Sequence, residues 1–318
     1  MTVLYKYMPL RASFFDDPLL RLTPPSKLND PFDSKPTDAG IEKKMGFFFN
    51  DSDCFDDEID EGEPEGFDPE QVKKSYENDL RNRLDEFGII SLTEDPYNLL
   101  MWSHYANEHK GIIVAVACDD NTFTFHDELS GRCNVSQKTP ARVIYSNRRP
   151  GIEMPDDTIY EYFEDNFYKH FALIKGDNWI YEKEHRFLLR LNEADVAIFE
   201  CVSEEWIKEQ ENSKVSVTHL GGVKYKAEVL ESDRKDILPW WLSFAQGGNK
   251  ISNVMHFKRL QHQSIEGVYF GCRVTDEEIN AVIDKIKSNP SFDHVVSIYK
   301  GVESTDRFEI DFKMLCSV

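Results

Sequence analysis

Apolar positions in this chain fall mostly into short runs bounded by turn-forming residues, the pattern of strands rather than long helices. "VLYKYMPL" opens the chain as a short strand. "LLRLTPPSKLNDPFD" begins strand-like and passes into turn chemistry at Pro24, Pro25, Asn29, Asp30 and Pro31. "IISLT" is rich in β-branched residues, and "GIIVAVA" is apolar on both faces, as a strand buried on both sides must be. "VAIFECV", "SIEGVYFG", "HVVSIYKG" and "RFEIDFKML" complete the expected strands. Helical periodicity predicts four helices. "DPEQVKKSYENDLRNRLDEFG" is capped by Asp68, carries Pro69 in its first turn and ends at Gly88. "NLLMWSHYANEHKG" stops at Gly111, and "DDTIYEYFEDNFYKHFALI" is rich in aromatics. "TDEEINAVIDKIKSN" starts with a Thr275–Glu278 capping box. The mixture predicts an α+β, or mixed α/β, fold.

One stretch does not fit an ordinary strand entry. In "WIYEKEHRFLL", Glu182, Glu184, His185 and Arg186 precede an apolar run. Alternation places Glu182, Glu184 and Arg186 on one face and Lys183, His185 and Phe187 on the other. Two carboxylates so close repel unless a cation offsets them, through Arg186 as counter-ion or through a cationic substrate seated between them.

Composition narrows the setting. A formal net charge of −21 repels DNA, RNA and anionic membranes on average. Nucleic acid is therefore not a favoured partner. Residues 51–70 hold 11 acidic side chains and no basic one, a low-complexity acidic insertion at about 50–68. The chain stays acidic without it. The six cysteines are scattered with no CxxC pair, which suits free thiols in a reducing compartment. "MTVLYKYMPLR" lacks a basic segment followed by an apolar stretch, and no apolar run is long enough to span a bilayer. The expectation is a cytoplasmic protein.

Further candidates are distributed along the chain. In "LNDPFD", either Asn29 and Asp33 organise a turn through side-chain-to-backbone bonds, with Pro31 fixing the chain, or the loop's amides and carboxylates meet a ligand. "MWSHYANEH" gathers Trp102, His104, Tyr105 and His109, with Tyr105 and His109 as i, i+4 neighbours on a helix. There is no HExxH, and no metal site is expected. Ser91 and Thr93 share a face in "SLT". GxSxG, Walker and GxGxxG motifs are absent.

"LYKY", "LNDPFD", "MWSHYANEHKG" and "WIYEKEHR", in this order, resemble a mainly bacterial family of unknown function. The likeness spans roughly residues 4–190 and continues more weakly through "IEGVYFG". The same order is more distantly similar to the ADP-ribosyltransferase fold. There Lys6 takes the place of a first-strand His or Arg, Ser91 and Thr93 resemble a Ser-Thr-Ser strand, and Glu182 and Glu184 resemble a Glu-x-Glu motif. Lys in the first position, Leu92 within the hydroxyl motif and Arg186 after the pair are departures.

That resemblance implies a split mixed β-sheet core with flanking helices over residues 1–195, and a C-terminal α/β extension over 196–318 that belongs to the same domain or lies beside it. It implies NAD as substrate of an ADP-ribosyltransferase-like enzyme or NAD glycohydrolase, acting as a bacterial toxin or phage-defence effector. Glu184 would bind the ribose 2′-hydroxyl and stabilise oxocarbenium character, and Glu182 would orient or deprotonate the acceptor. Lys6, Tyr7, Asn29, Asp30, Ser91, Thr93, His104, Tyr105 and Arg186 would bind NAD, with Tyr7 or Tyr105 stacking on nicotinamide. Expected partners are an unspecified macromolecular acceptor and a regulatory protein. Two alternatives stay open: a non-enzymatic effector or binding module in phage defence or a toxin–antitoxin pair, and a metal-dependent nuclease using Asp30, Asp33, Glu182 and Glu184.

Overall fold

The computed structural model describes residues 2–43, 84–126, 137–150, 167–210, 215–230 and 250–318, with isolated positions between 71 and 78. The acidic insertion, most of the helix expected over 68–88 and the first part of that expected over 156–174 lie outside the described residues.

The fold is α+β and is dominated by two sheets. The larger has eight strands, β1 (Thr2–Met8), β3 (Phe87–Thr93), β4 (Ile112–Cys118), β5 (Ala141–Arg142), β8 (Glu184–Arg190), β13 (Ile265–Phe270), β14 (Ser297–Glu303) and β15 (Ile310–Ser317). Their order is β15-β14-β13-β4-β1-β3-β8-β5, so among the described residues β15 and β5 are the end strands and the sheet does not close into a barrel. Neighbours run antiparallel except β13 and β14, which the helix Asp276–Ser288 connects as a parallel pair. The second sheet has five strands in the order β10-β11-β9-β12-β2. They are β2 (Leu19–Leu22), β9 (Val196–Cys201), β10 (Val215–Gly221), β11 (Lys224–Val229) and β12 (Ile251–Arg259). A small parallel pair joins β6 (Ile144–Ser146) to β7 (Ile174–Gly176).

The two sheets share one core. Leu4, Ile90, Leu92, Val114 and Phe187 of the first meet Leu20, Leu22, Ala197, Phe199 and Ala227 of the second. Period-2 geometry explains why β4 is apolar throughout. Ile112, Val114 and Val116 face this core, while Ile113 faces a separate cluster with Tyr7, Trp102 and Ile310. The expected Thr275–Glu278 capping box is present, with Glu278 N donating to Thr275 Oγ1 at 3.3 Å and Thr275 N to Glu278 Oε2 at 2.9 Å.

Two expected boundaries move. Gly88 is not a helix stop but lies within β3, where a Cβ would come within 2.4 Å of the Leu22 side chain, so close strand approach requires glycine there. The "MWSHYA" helix runs only from Leu99 to Tyr105, started by Asn98, whose Oδ1 accepts from Leu100 N and Met101 N. Asn107, Glu108 and His109 then take left-handed φ values of 46°, 54° and 68°. Tyr105 and His109 are therefore not helical neighbours. His109 instead stacks on Trp102, with ring centroids 6.2 Å apart.

One break in the larger sheet positions the site. β1 and β4 pair along their whole length, as do β3 and β8. Between β1 and β3 the register holds a single pair, Tyr5 with Thr93. Below it the strands diverge, and Ile89 of β3 bonds Thr23 instead, N to O at 2.8 and 3.0 Å.

Candidate functional site

A cavity of about 250 Å³ opens where β1 and β3 part. Its walls come from Tyr5–Tyr7 of β1, from Ile89, Ser91 and Leu92 of β3, from the Arg21–Asp33 segment and from residues 175–186. Lys6 spans the gap. Its Nζ donates to the Ser91 carbonyl at 2.8 Å, satisfying a backbone acceptor at the break in the ladder. Burial pushes the Lys6 ammonium down to about 8, helped by Arg21 and opposed by Glu184 and Glu182.

The floor is a buried charge network. Arg186, on β8, is 0% exposed. It forks onto Asp33 with Nη1–Oδ1 at 2.8 Å and Nη2–Oδ2 at 2.6 Å, and onto Glu184 with Nε–Oε1 at 2.8 Å and Nη2–Oε2 at 3.0 Å. Its remaining bonds go to the Ala172 carbonyl and Ser34 Oγ. Such two-pronged geometry is what a planar guanidinium provides and an ammonium cannot. Burial opposes the charge of Glu184, but Arg186 and Lys175 outweigh it and hold the carboxyl well below its ordinary range.

Lys175, on β7, answers the repulsion noted in the sequence. Its Nζ lies 2.6 Å from Glu182 Oε2, 2.9 Å from Glu184 Oε2 and 3.8 Å from Asp33 Oδ2. Burial disfavours its charge, yet the two glutamates raise its pKa. The ammonium also sits 5.0 Å from the Trp179 ring. A cation of the chain itself thus occupies the place expected for a cationic substrate.

Glu182 reaches this network by a route that simple alternation misses. It ends the 3₁₀ turn Asp177–Glu182 rather than lying on the strand. Lys183 follows with φ 44° and ψ 49°, a left-handed turn for a non-glycine residue, and β8 begins at Glu184. Only Glu184 and Arg186 share the strand face, as expected, and His185 points away to bond Glu94 Oε1 at 2.7 Å. Tyr105 Oη donates to the second oxygen of Glu182 at 2.6 Å.

Of the residues singled out from sequence, Lys6, Tyr7, Asn29, Asp30, Ser91, Tyr105, Glu182, Glu184 and Arg186 all line this cavity. Thr93 and His104 do not. Thr93 is buried beside it, its hydroxyl donating to the Glu182 carbonyl at 2.5 Å and accepting from Asp95 N, so it fixes the turn before β8. His104 is exposed on the far side of its helix. The turn bond in this loop comes from Asp30, which accepts from Phe32 N at 2.9 Å, whereas Asp33, expected to organise the turn, gives both carboxylate oxygens to Arg186. Tyr7 Oη donates to the Asp95 carbonyl at 2.7 Å and its ring packs edge-on to Trp102.

Sequence reading missed Lys175 and Trp179, and it missed the rim cations Arg21 and Lys27. The available signal for Lys175 was a lone lysine in "ALIKGDNW", directly after an apolar run. Arg21 and Lys27 are exposed and form no ion pair among the described residues. In a chain of net charge −21, Arg21 and Lys27 thus bring two exposed cations to this cavity, beside the single partly exposed acid Asp30.

The profile of a family described as "Protein of unknown function (DUF2971)" matches residues 101–187. The match runs from the helix bearing Tyr105 to β8 and takes in Lys175, Glu182, Glu184 and Arg186. "MWSHYA" and "YEKEHR" fall inside it, whereas "LYKY" and "LNDPFD" fall outside. No curated protein and no solved structure matches the chain. No helix among the described residues is long and apolar enough to cross a membrane.

Proposed function

We propose that this cavity binds NAD and that the protein cleaves its nicotinamide–ribose bond, passing ADP-ribose to a macromolecular acceptor or to water. The observation that carries the reading is the placement of Glu184, held anionic by Arg186 and Lys175, on the floor of a cavity at a split between two strands. A carboxylate that stays charged is suited to face the positive charge developing on ribose, and less suited to exchange protons. Glu182, tied to Tyr105 and Lys175, is the candidate for the acceptor side. At about 250 Å³ the cavity is slightly smaller than the usual small-ligand site of about 300–1,000 Å³. It thus takes the nicotinamide-ribose half, while the diphosphate extends to Arg21 and Lys27 at the rim. Lys175 must yield its seat between the glutamates as ribose becomes cationic, and the face of Trp179 offers the ammonium another. The role as a toxin or phage-defence effector, with a regulatory partner, rests on family resemblance alone.

A second reading, a binding module that cleaves nothing, is favoured by one observation: both oxygens of Glu184 are already taken by Arg186. Those contacts also commit Asp33, which leaves the metal-dependent nuclease without an observation in its favour. NAD titrated against melting temperature, with nicotinamide release measured in parallel, separates the readings. Cleavage predicts both a shift and release, and a binding module predicts a shift alone. No shift with NAD or ADP-ribose would remove the dinucleotide from both.

A further inference from the structure

The outer strand β15 is a second feature of the fold, independent of what the cavity binds. One side of β15 pairs with β14, and no strand lies on its other side among the described residues. Exposed apolar side chains gather on and beside it: Phe308 is 102% exposed, Met314 55% and Leu315 48%. Asp311 and Lys313 are exposed as well, and neither side chain has an ion-pair or hydrogen-bond partner among the described residues. Within the sheet Lys313 lies opposite Lys300, a like-charge pair, and Lys300 turns its own ammonium to the Val274 carbonyl. An acid on the open side of β15 would therefore stabilise Lys313.

The strand carries that acid two positions away. "IDFKM", Ile310–Met314, is symmetric in character about Phe312: apolar, acidic, aromatic, basic, apolar. We infer that β15 is a homodimer interface in which two copies pair this edge antiparallel about Phe312. Asp311 then faces the partner's Lys313, and by the two-fold axis Lys313 faces the partner's Asp311. Ile310 comes opposite the partner's Met314 on the other face. The pairing also supplies hydrogen-bond partners to a backbone edge that otherwise invites indiscriminate association.

Sedimentation velocity on the full chain, over a concentration series, tests this directly. The parent is expected to dimerise, and to do so less tightly at high salt. Asp311→Lys and Lys313→Asp each place like charges at both symmetric contacts, raising the dimer dissociation constant by roughly tenfold or more. The double exchange D311K/K313D restores opposite charges and is expected to restore the dimer. All three should fold like the parent, because both side chains are exposed; Lys313→Asp and the double exchange also relieve the Lys300–Lys313 repulsion, whereas Asp311→Lys leaves it in place. A lysine on an edge strand can instead serve to keep other strands away. A parent that stays monomeric throughout would support that role and overturn the inference. So would dimers that survive both single reversals, or a double exchange that folds but stays monomeric.

Discussion

Arg186 and Asp33 meet as a two-pronged pair, Nη1–Oδ1 2.8 Å and Nη2–Oδ2 2.6 Å, although 153 positions separate them in the chain. The pair ties the loop after β2 to the strand that carries Glu184. Both side chains are almost wholly out of water, so neither charge tolerates losing the other. Asp33→Asn is expected to cost about 3–5 kcal/mol in urea unfolding, the range for breaking a buried pair. Arg186→Lys should cost nearly as much, since an ammonium cannot serve both carboxylates in the fork. A loss under about 1 kcal/mol for Asp33→Asn would mean that Glu184 alone satisfies the guanidinium.

Lys175 answers a different need, the mutual repulsion of Glu182 and Glu184. Lys175→Met leaves that repulsion opposed by Arg186 alone and should destabilise the fold at neutral pH. The deficit has a predictable pH dependence. Parent Glu184 is held well below the ordinary carboxylate value of 4.5, so its stabilising contribution is present above that value and fades as pH falls beneath it. The variant, whose Glu184 lacks the Lys175 ammonium and protonates more readily, loses less on acidification. The gap between parent and variant should therefore narrow as pH falls below about 4.5. A gap constant with pH would point to lost packing of the lysine stem instead.

Much of this floor was legible in the sequence, and the exceptions share a cause. Glu184, Arg186 and the strand they occupy follow from period-2 alternation running into Phe187-Leu188-Leu189. Trp102 read as a core or stacking group because large aromatics usually are, and β4 as core because its apolar run has few other outcomes; both are buried. Lys175 was missed because its partners lie seven and nine residues away, across a 3₁₀ turn whose left-handed Lys183 has no glycine to announce it. Asp33 read as a turn residue because nothing local connects it to Arg186. A split sheet was implied only by the resemblance, and its place between β1 and β3 was not legible for a related reason. Strand pairing is non-local, and both strands look ordinary until Thr23 takes the Ile89 edge.

His256 gives the second sheet an acid sensitivity of its own. It lies on β12, 3% exposed, between Leu22 of β2 and Ala197 of β9. Burial pushes its imidazole down to about 4 from an ordinary 6.5. Between those values the unfolded chain takes up a proton that the folded chain refuses, so stability falls as pH drops through the window. The full effect is about 3 kcal/mol, from the size of the shift. Unfolding measured at pH values near the two ends should show this loss in the parent and a flatter response in His256→Phe. Equal losses in both would assign the acid sensitivity to other groups.

The two glutamates are expected to separate chemistry from structure. Glu184→Gln keeps the side chain's shape while removing the charge. If Glu184 faces an oxocarbenium-like state in a site closed to water, losing that charge should cost about 3–4 kcal/mol of barrier, roughly a hundred- to a thousandfold in nicotinamide release. NAD affinity should change far less, because the charge matters most where positive charge develops. Glu182→Gln should differ: transfer to an acceptor falls while slow hydrolysis of NAD persists. Both variants also weaken contacts to Lys175 or Arg186, so some loss of melting temperature is expected in each. Stability loss alone does not discriminate; the split between release and affinity does. A purely structural network predicts that melting temperature moves and that no nicotinamide is released by the parent, with or without cell extract as acceptor. That result would leave Glu182 and Glu184 as the acidic half of a salt-bridged floor and end the enzymatic reading.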